Sequence, residues 1–376
     1  MRILVTTTPG LGHILPVRRL ASDLVERGHE LRWVVGPGNV DVLVDGGFDV
    51  TTAGISVADR QAEFNRRYPD TASLPERERR AVAFSKLFGE LAAPPMLEAL
   101  WPLVQRWRPD LVLHDAAELA GPLVAAASGI RSVCHGFGEL VPERSIRRTG
   151  EQMAPLWESF GLAPDLYAGC YRGLYIDIYP PSLRSSDMAH VVEVQLSRPA
   201  EGVPASGRLV YVTFGTVWNV IDPGFRAAVV AAAGVAEDVL VTVGPVGDPS
   251  DLGTVPGNVT VERFVPQAEV LPRSAAVVCH GGSGTVLASL AHGVPLLCLP
   301  RGADQFGNAA NVERRGAGMT LLGPSAVEGE SLGNVLHRLL ETPGPKAAAV
   351  GVAEEIAQMP DVTAVADAVE AHVGLP

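Results

Sequence analysis

Short apolar runs alternate with amphipathic stretches along both halves of the chain. In the first half, an apolar run over Arg2 to Thr7 is followed by a helical pattern from about Ile14 to Arg27 and by a second run over Glu30 to Val35. The second half starts a similar series with the run from Arg208 to Phe214. Continuous apolar runs are typical of strands in a parallel sheet that helices cover on both faces. The pattern therefore predicts an α/β protein with two doubly wound domains.

A segment rich in proline and glycine divides the two halves. Residues 197–207 have the composition of a linker, so we expect an N-terminal domain over 1–196 and a C-terminal domain over 208–360. The remaining residues, 361–376, are predicted to form a helix that packs back on the N-terminal domain. Open parallel sheets bind their ligands at the carboxyl ends of the strands. We expect the two Rossmann-like domains to face each other across a cleft.

The composition restricts the class of protein. Of the 376 residues, 47% are hydrophobic and 19% are charged, which excludes global disorder. The net charge of −12 argues against nucleic acid or an anionic membrane surface as the main partner. No segment is long and apolar enough to cross a bilayer, and the N-terminus lacks the features of a signal peptide, so we expect a cytoplasmic protein. The four cysteines fit neither a metal site nor a disulfide framework.

A histidine and three glycines connect a predicted strand to a predicted helix in the second half. The strand covers Ala275–Cys279, and His280-Gly281-Gly282-Ser283-Gly284 leads into a helix over Thr285–His292. The first N–H groups of a helix have no intrahelical partner and carry partial positive charge, so such a turn can bind a phosphate. Glycine-rich turns also occur in α/β proteins that bind nothing there. The turn by itself leaves an anion site and a purely structural turn as alternatives.

The residues after this turn favour the anion site. A further buried strand over Val294–Pro300 is followed by Asp304 and Gln305, which we expect at the carboxyl edge of the sheet. A carboxylate accepts hydrogen bonds from hydroxyl groups, and an amide both accepts and donates them. This pair is suited to a ligand with several hydroxyl groups.

The first half has a second candidate site in the turn Pro9-Gly10-Leu11-Gly12-His13. The glycines allow a sharp corner and leave His13 near the N-terminus of the first helix, where a neutral imidazole is favoured. Asp115 ends another predicted strand of the same sheet. We therefore expect a dyad in which Asp115 orients His13, and His13 removes a proton from a hydroxyl group. The alternative is that His13 only caps the helix and that Asp115 or His114 stabilises a loop.

The two glycine turns together resemble those of the family 1 nucleotide-sugar glycosyltransferases. The resemblance spans nearly the whole chain and implies the GT-B architecture. Within the family, the sequence looks most like the short actinobacterial enzymes that attach deoxysugars to polyketides, enediynes and related natural products. The resemblance rests on Gly10-Leu11-Gly12-His13, on His280-Gly281-Gly282-Ser283-Gly284-Thr285, and on Gly293-Val294-Pro295 followed by Asp304-Gln305-Phe306-Gly307-Asn308-Ala309.

This resemblance implies a role for each motif residue. His13 corresponds to the general base and Asp115 to its partner. Asp304 and Gln305 correspond to the residues that bind the donor sugar. Phe264 replaces a common tryptophan at the nucleotide base, with simple core packing as the alternative. The diphosphate would be bound by His280, Gly281, Gly282, Ser283, Gly284, Thr285, Gly215 and Thr216, and the base by Phe264, Val265 and Gln267.

Two further features concern the substrates. Plant members have a ribose-binding glutamate eight residues after the motif histidine, where this chain has Ala288. The difference favours a thymidine diphosphate (TDP) donor over a uridine diphosphate (UDP) donor. The variable stretches Asp59–Arg80 and Gly136–Tyr171 indicate an apolar acceptor pocket. The candidate acceptor-binding residues are Gly12, Trp157 and Phe160.

The mechanism that we predict is a single inverting displacement without a metal ion or other cofactor. His13 would deprotonate an acceptor hydroxyl, whose oxygen attacks the anomeric carbon while the nucleoside diphosphate leaves. No Asp-x-Asp pair suited to a divalent cation occurs, so the helix end near Ser283 would stabilise the departing charge. The alternatives are a non-catalytic auxiliary partner of a glycosyltransferase and a sugar-nucleotide epimerase of similar fold. The expected partners are the nucleotide sugar and a small apolar aglycone, and a homodimer is compatible with the sequence.

Overall fold

A computed structural model describes residues 1–185, 188–215, 221–245, 247–323 and 329–374. The chain divides into two compact units. The first unit consists of Met1–Ile178, Ser186–Ser197 and Pro360–Pro376, and the second consists of Tyr179–Ser185 and Arg198–Met359. Within the described residues, no helix is both long enough and apolar enough to span a bilayer.

The described part of the first unit has a seven-stranded sheet in which every neighbouring pair is parallel. The strand order is β3-β2-β1-β4-β5-β6-β7, so the order reverses between β1 and β4. That reversal is the position at which open α/β sheets bind ligands. The strands are β1 (Arg2–Thr7), β2 (Glu30–Val35), β3 (Asp49–Thr52), β4 (Leu111–Asp115), β5 (Arg131–His135), β6 (Leu174–Asp177) and β7 (Val194–Leu196).

Helices connect these strands and cover both faces of the sheet. Along β1 the side chains alternate, so that Leu4 joins one hydrophobic cluster while Ile3 and Val5 join the other. A π-helical segment, Ser85–Ala92, joins two of the helices. The helices are α1 (Leu11–Glu26), α2 (Asp41–Val44), α3 (Val57–Arg67), α4 (Glu76–Phe84), α5 (Ala93–Trp107), α6 (Ala120–Ser128) and α7 (Glu143–Ser159).

The described part of the second unit repeats this architecture with a six-stranded parallel sheet. Its order is β10-β9-β8-β11-β12-β13, and the reversal lies between β8 and β11. The strands are β8 (Leu209–Thr213), β9 (Val239–Thr242), β10 (Val259–Glu262), β11 (Ser274–Cys279), β12 (Leu296–Cys298) and β13 (Gly318–Thr320). The helices are α8 (Pro223–Val235), α9 (Gln267–Val270), α10 (Ser283–Ala291), α11 (Gln305–Arg315), α12 (Gly329–Glu341) and α13 (Pro343–Gln358).

The last helix, α14 (Val362–Val373), belongs to the first unit. Its residues Val365 and Val369 are buried in the cluster that also contains Ile14 of α1. Glu370 of α14 accepts a hydrogen bond from the Arg27 guanidinium (2.9 Å), and its other oxygen lies 2.7 Å from Nε2 of His29. Apolar burial, the Arg27–Glu370 ion pair and the contact between His29 and Glu370 together attach the C-terminal helix to the start of the first sheet.

In the structure, two helices start earlier in the chain than the sequence pattern predicts. Helix α1 begins at Leu11 instead of Ile14, and α10 begins at Ser283 instead of Thr285. In both cases a glycine in extended conformation forms the N-cap, Gly10 with ψ 137° and Gly282 with ψ 140°. Because glycine allows the chain to enter the helix directly after the strand, the helix starts earlier than the apolar pattern does.

Candidate active site

His13 and Asp115 lie together at the strand reversal of the first sheet. Strands β1 and β4 are hydrogen-bonded neighbours, with Thr6 paired to His114, so the residues after β1 and at the end of β4 share one edge. Nδ1 of His13 is 3.1 Å from Oδ1 of Asp115. Asp115 is fully buried, whereas the His13 side chain keeps 20% of its surface exposed. The structure thus brings together the two residues that the sequence analysis paired.

Asp115 is fixed by backbone donors on both of its carboxylate oxygens. The N–H of Thr8 donates to Oδ2 (2.6 Å), and the N–H of Ala117 donates to Oδ1 (2.7 Å). Burial alone would raise the pKa of Asp115, but the interaction with His13 and these hydrogen bonds outweigh it and hold the pKa below its usual value. Asp115 therefore stays ionised and can both orient the imidazole and stabilise its protonated form.

The His13 ring has aromatic neighbours on its other sides. The centroid of Phe137 is 4.3 Å from that of His13, and the centroid of Phe88 is 6.2 Å away. The His13 backbone N–H bonds to the carbonyl of Gly10, whereas the side chain bonds to Asp115. The side chain therefore does not serve as a helix cap. With Nδ1 directed at Asp115, Nε2 is the nitrogen that remains for proton transfer.

His280 lies at the strand reversal of the second sheet, directly after β11 and beside the end of β8. Only 8% of its surface is exposed, and its Nδ1 is buried without a hydrogen-bond partner among the described residues. Burial lowers the pKa of His280 to about 4. The charge of Asp304 opposes this effect by raising the pKa, whereas the charge of Arg301 lowers the pKa further. The ring is therefore neutral at pH 7. A buried polar atom without a protein partner is rare in native proteins, and here it is available to a ligand atom.

Two glycines make room for this ring. A Cβ atom at Gly282 would lie 2.5 Å from Nε2 of His280, and one at Gly215 would lie 2.7 Å from Cε1. Gly215 also has a positive φ of 75°, which side chains other than glycine rarely adopt. Two of the four glycines predicted for the diphosphate thus lie against the His280 ring.

The start of α10 provides backbone donors beside His280. Its N-cap is Gly282, which has no side chain that could accept a hydrogen bond from the first turn. The first intrahelical bond at this end runs from the N–H of Val286 to the Gly282 carbonyl (3.0 Å). The preceding N–H groups, those of Ser283, Gly284 and Thr285, therefore have no intrahelical acceptor. Together with the helix dipole they favour an anion.

Asn308 connects this turn to the start of α11. Its amide nitrogen donates to the Gly281 carbonyl (3.0 Å), to Oγ of Ser283 (3.0 Å) and to Oδ2 of Asp304 (2.9 Å). Ser283 also donates to Oδ2 of Asp304 (2.8 Å). The sequence analysis gave Asn308 no role of its own. Its position four residues after Asp304 was the available indication, because residues four apart share one face of a helix.

The neighbouring residues Asp304 and Gln305 differ in their exposure. Asp304 is exposed, whereas Gln305 is buried with 2% of its surface accessible. The Gln305 side-chain oxygen accepts hydrogen bonds from the N–H groups of Arg301 (2.8 Å) and Gly302 (3.1 Å). Asp304 therefore remains accessible to a ligand although its Oδ2 accepts hydrogen bonds from Ser283 and Asn308, while the oxygen of Gln305 stabilises the loop that precedes α11.

The predicted base-binding residues lie just before α9 and at its start. Phe264 is 61% exposed, so the alternative of core packing is wrong. Val265 is half-buried. The amide nitrogen of Gln267 donates to Oγ1 of Thr285 (3.1 Å), which joins this segment to the first turn of α10. An exposed phenyl ring is available for stacking on a planar base.

The predicted acceptor-binding residues have different environments. Gly12 is exposed, and Phe160 is half-buried with its ring 4.9 Å from that of Trp101. Trp157 is fully buried in a hydrophobic cluster of the first unit, so the structure assigns it a packing role and corrects its prediction as an acceptor contact. Thr216, predicted for the diphosphate, lies outside the described residues.

Arg301 is a further cation of the second site that sequence reasoning missed. Its guanidinium lies 4.2 Å above the ring of Phe214 and forms an ion pair with Asp222 (2.7 Å). Burial lowers its pKa, although Asp222 opposes this effect. In the part of the chain that the structure describes, no group of three or more His, Cys, Asp and Glu residues is arranged to hold a metal ion.

Comparisons with known proteins match most of this chain to natural-product glycosyltransferases and their domain models. Two domain models described as erythromycin biosynthesis protein CIII-like match the chain, the N-terminal one over residues 24–202 and the C-terminal one over residues 227–372. Elloramycin glycosyltransferase ElmGT of Streptomyces olivaceus is 34% identical over 413 residues, which cover 100% of this chain and 98% of that protein.

Glycosyltransferases of known structure have a similar fold. The glycosyltransferase VinC in complex with dTDP has a TM-score of 0.79 and is 25% identical, with 99% of each chain covered. The spinosyn rhamnosyltransferase SpnG complexed with spinosyn aglycone also has a TM-score of 0.79 and 25% identity, with 98% of this chain and 100% of that chain covered.

Proposed function

Because this chain belongs to the erythromycin biosynthesis protein CIII-like family of natural-product glycosyltransferases, we propose that it transfers a deoxysugar from TDP to a hydroxyl group of an apolar aglycone such as a polyketide or enediyne. The transfer inverts the anomeric configuration. The observation that carries the proposal is the His13–Asp115 pair at 3.1 Å, with Asp115 buried and bound by two backbone N–H groups.

The first chemical step is proton removal by His13. Nε2 of His13 takes the proton of the acceptor hydroxyl, and Asp115 stabilises the imidazolium that results. The acceptor oxygen forms a bond to the anomeric carbon as the bond from that carbon to the phosphate oxygen breaks. The electron pair of the broken bond remains on the departing diphosphate, and attack from the opposite face gives the inverted product.

The second unit stabilises the departing diphosphate. The N–H groups at the start of α10 are already oriented, so they stabilise developing charge without reorganising. The unpartnered Nδ1 of His280 adds a hydrogen bond in a buried setting. These donors take the part that a divalent cation plays in other transferases, and the proposed reaction is therefore independent of metal.

The nucleotide is proposed to be TDP. VinC, which is similar over nearly its whole length, was solved with dTDP. Ala288 lies in α10 where a ribose-binding glutamate would stand, so no carboxylate is present there for a ribose 2′-hydroxyl. The exposed Phe264 would stack on the thymine ring.

Thermal stabilisation by nucleotides tests this donor preference. At about one hundred times its dissociation constant, a ligand adds roughly 2.7 kcal/mol of stability. We expect TDP to raise Tm more than UDP at equal concentration, measured by differential scanning fluorimetry. Ala288→Glu should reduce this difference by improving UDP binding, and Ala288→Gln is its uncharged control. Equal shifts with both nucleotides in the wild-type protein would contradict the proposed preference.

The two alternatives are less well supported. An auxiliary partner without catalysis would not need the oriented His13–Asp115 pair together with the donors at α10. An epimerase would act on the nucleotide sugar without an acceptor, and ElmGT, the relative that is 34% identical, is named as a glycosyltransferase. Both observations favour transfer.

A further inference from the structure

One buried cation of the first unit has no role in the proposed chemistry. Arg60 of α3 keeps only 7% of its surface exposed, and its Nε is fully buried without a hydrogen-bond partner among the described residues. Buried charges in proteins are ordinarily paired, because removing an ion from water without compensation is costly. Arg60 is therefore an exception that requires a physical reason.

Its surroundings place it next to the His13 site. The guanidinium carbon of Arg60 lies 4.5 Å from the centre of the Phe88 ring, which also neighbours the His13 ring. Arg60 is close enough to Asp115 for their charges to interact. Phe88 belongs to the π-helical segment, a type of irregularity that is common at functional sites.

Arg60 also lines a small cavity of about 20 Å³ at the carboxyl edge of the first sheet. The volume suffices for one water-sized group. The cavity is bounded on one side by the loop before α1 and on another by Glu118, and most other lining groups are apolar. The lining residues used here are Thr8, Pro9, Ile55, Met96, Glu118 and Leu119.

The carboxylates nearby are already engaged. Both oxygens of Asp115 accept hydrogen bonds from backbone N–H groups, and one of them also contacts His13. Glu118 accepts from the Thr6 hydroxyl and from the N–H groups of Ala120 and Gly121. Neither forms a hydrogen bond or ion pair with Arg60. The guanidinium N–H groups are therefore not used by these two carboxylates.

We propose that Arg60 recognises a planar anionic oxygen group, such as a carboxylate, on an otherwise apolar acceptor. A guanidinium donates charge-assisted hydrogen bonds to such a group, and the cavity has room for one of its oxygens while the rest of the acceptor lies outside. Charge balance supports this assignment. Once His13 has taken a proton, its charge and that of Arg60 both lie near Asp115. Burial raises the pKa of Glu118 to about 7, so Glu118 carries only part of a charge at neutral pH. An anionic acceptor group offsets the positive charge that remains. This inference names the acceptor class and rests on the proposed function.

The test compares an acid with its uncharged ester. The probes are 1,4-dihydroxy-2-naphthoic acid and its methyl ester, and their binding is measured by isothermal titration calorimetry without donor. Charged hydrogen bonds contribute about 1.5–3 kcal/mol, so wild-type protein should bind the acid about 10- to 100-fold more tightly than the ester. Arg60→Met should remove this preference and leave ester binding within about threefold.

Two controls separate recognition from structure. Arg66→Met removes an exposed arginine of the same helix and should leave the preference unchanged. Arg60→Met should keep or raise Tm, because an apolar side chain replaces a buried cation without a partner. Arg60→Lys keeps the charge but not the planar fork, and should retain only part of the preference.

Several outcomes would overturn the proposal. They are a wild-type protein that binds the acid no better than the ester or not at all, a preference that survives in Arg60→Met, and an equal loss of acid and ester binding in that variant. Because no donor is present, these results are independent of sugar transfer. An enzyme that glycosylates neutral aglycones but shows no acid preference refutes only the role of Arg60.

Discussion

Replacing His13 by alanine is expected to lower kcat by about 10²- to 10⁴-fold, because the proton of the acceptor hydroxyl then has no positioned acceptor. TDP should bind the variant as it binds the wild-type protein, since the proposed diphosphate donors lie in the second unit. Turnover is measured as TDP release with a saturating aglycone, and nucleotide binding as the shift in Tm.

Asp115→Asn is the matched companion of this variant. It keeps the size of the side chain but removes the charge that orients His13 and stabilises the imidazolium, so kcat should fall while the protein still folds. The double variant should be little slower than His13→Ala, because both residues act as one unit. A His13→Ala enzyme with near wild-type kcat would contradict the assignment of His13 as base.

The second large effect is expected at the start of α10. Gly284 is exposed, and a Cβ there would meet no atom within 4 Å, so it accepts a side chain without strain. Gly284→Glu should weaken TDP binding by about 100-fold or more, because two charges about 4 Å apart repel by roughly 4 kcal/mol near a protein surface. The measurement is TDP affinity by calorimetry.

The same substitution should make the free protein more stable. A carboxylate in the first turn of a helix adds about 0.3–1 kcal/mol through the helix dipole. Gly284→Gln gains the same helix propensity without the charge, so it should weaken TDP binding much less and be less stable than Gly284→Glu. If both variants bound TDP equally well, the helix end would not be the diphosphate site.

Much of the fold was predictable because strand burial leaves a strong pattern. The continuous apolar run before His280 and the run from Arg2 to Thr7 both form central parallel strands, β11 and β1. The predicted α/β class and GT-B fold are confirmed by the two parallel sheets and by the similarity to glycosyltransferases of known structure. The stretch Asp59–Arg80, which the sequence analysis described as variable and assigned to the acceptor pocket, is mostly helical, in α3 and α4.

The site was predictable where one residue type has one chemical use. A histidine after a glycine turn and a carboxylate at a strand end meet because adjacent parallel strands end at one edge. Residues with several uses were less predictable. A tryptophan serves equally in a core or a pocket, and Trp157 lies in the core. The hydrogen bonds of Asn308 depend on the approach of α11 to α10, which no local pattern encodes.

Arg60 could not be selected from the sequence at all. It is one of several arginines in a charged stretch, where exposure is the ordinary expectation. Its burial results from the packing of α3 against the π-helical segment, which places the guanidinium over Phe88. Only tertiary structure separates it from Arg66 on the same helix, which is exposed and paired with Glu63.

The most direct test of sugar transfer is the product balance of one reaction. Purified protein is incubated with a TDP-deoxysugar in a buffer that contains EDTA, with and without a polyketide aglycone, and nucleotide and glycoside are quantified by mass spectrometry. We expect TDP and an inverted glycoside to appear in equal amounts, and only when the aglycone is present. Free sugar or an epimerised donor without aglycone would contradict sugar transfer, and a strict requirement for added magnesium would contradict the role given to the helix α10.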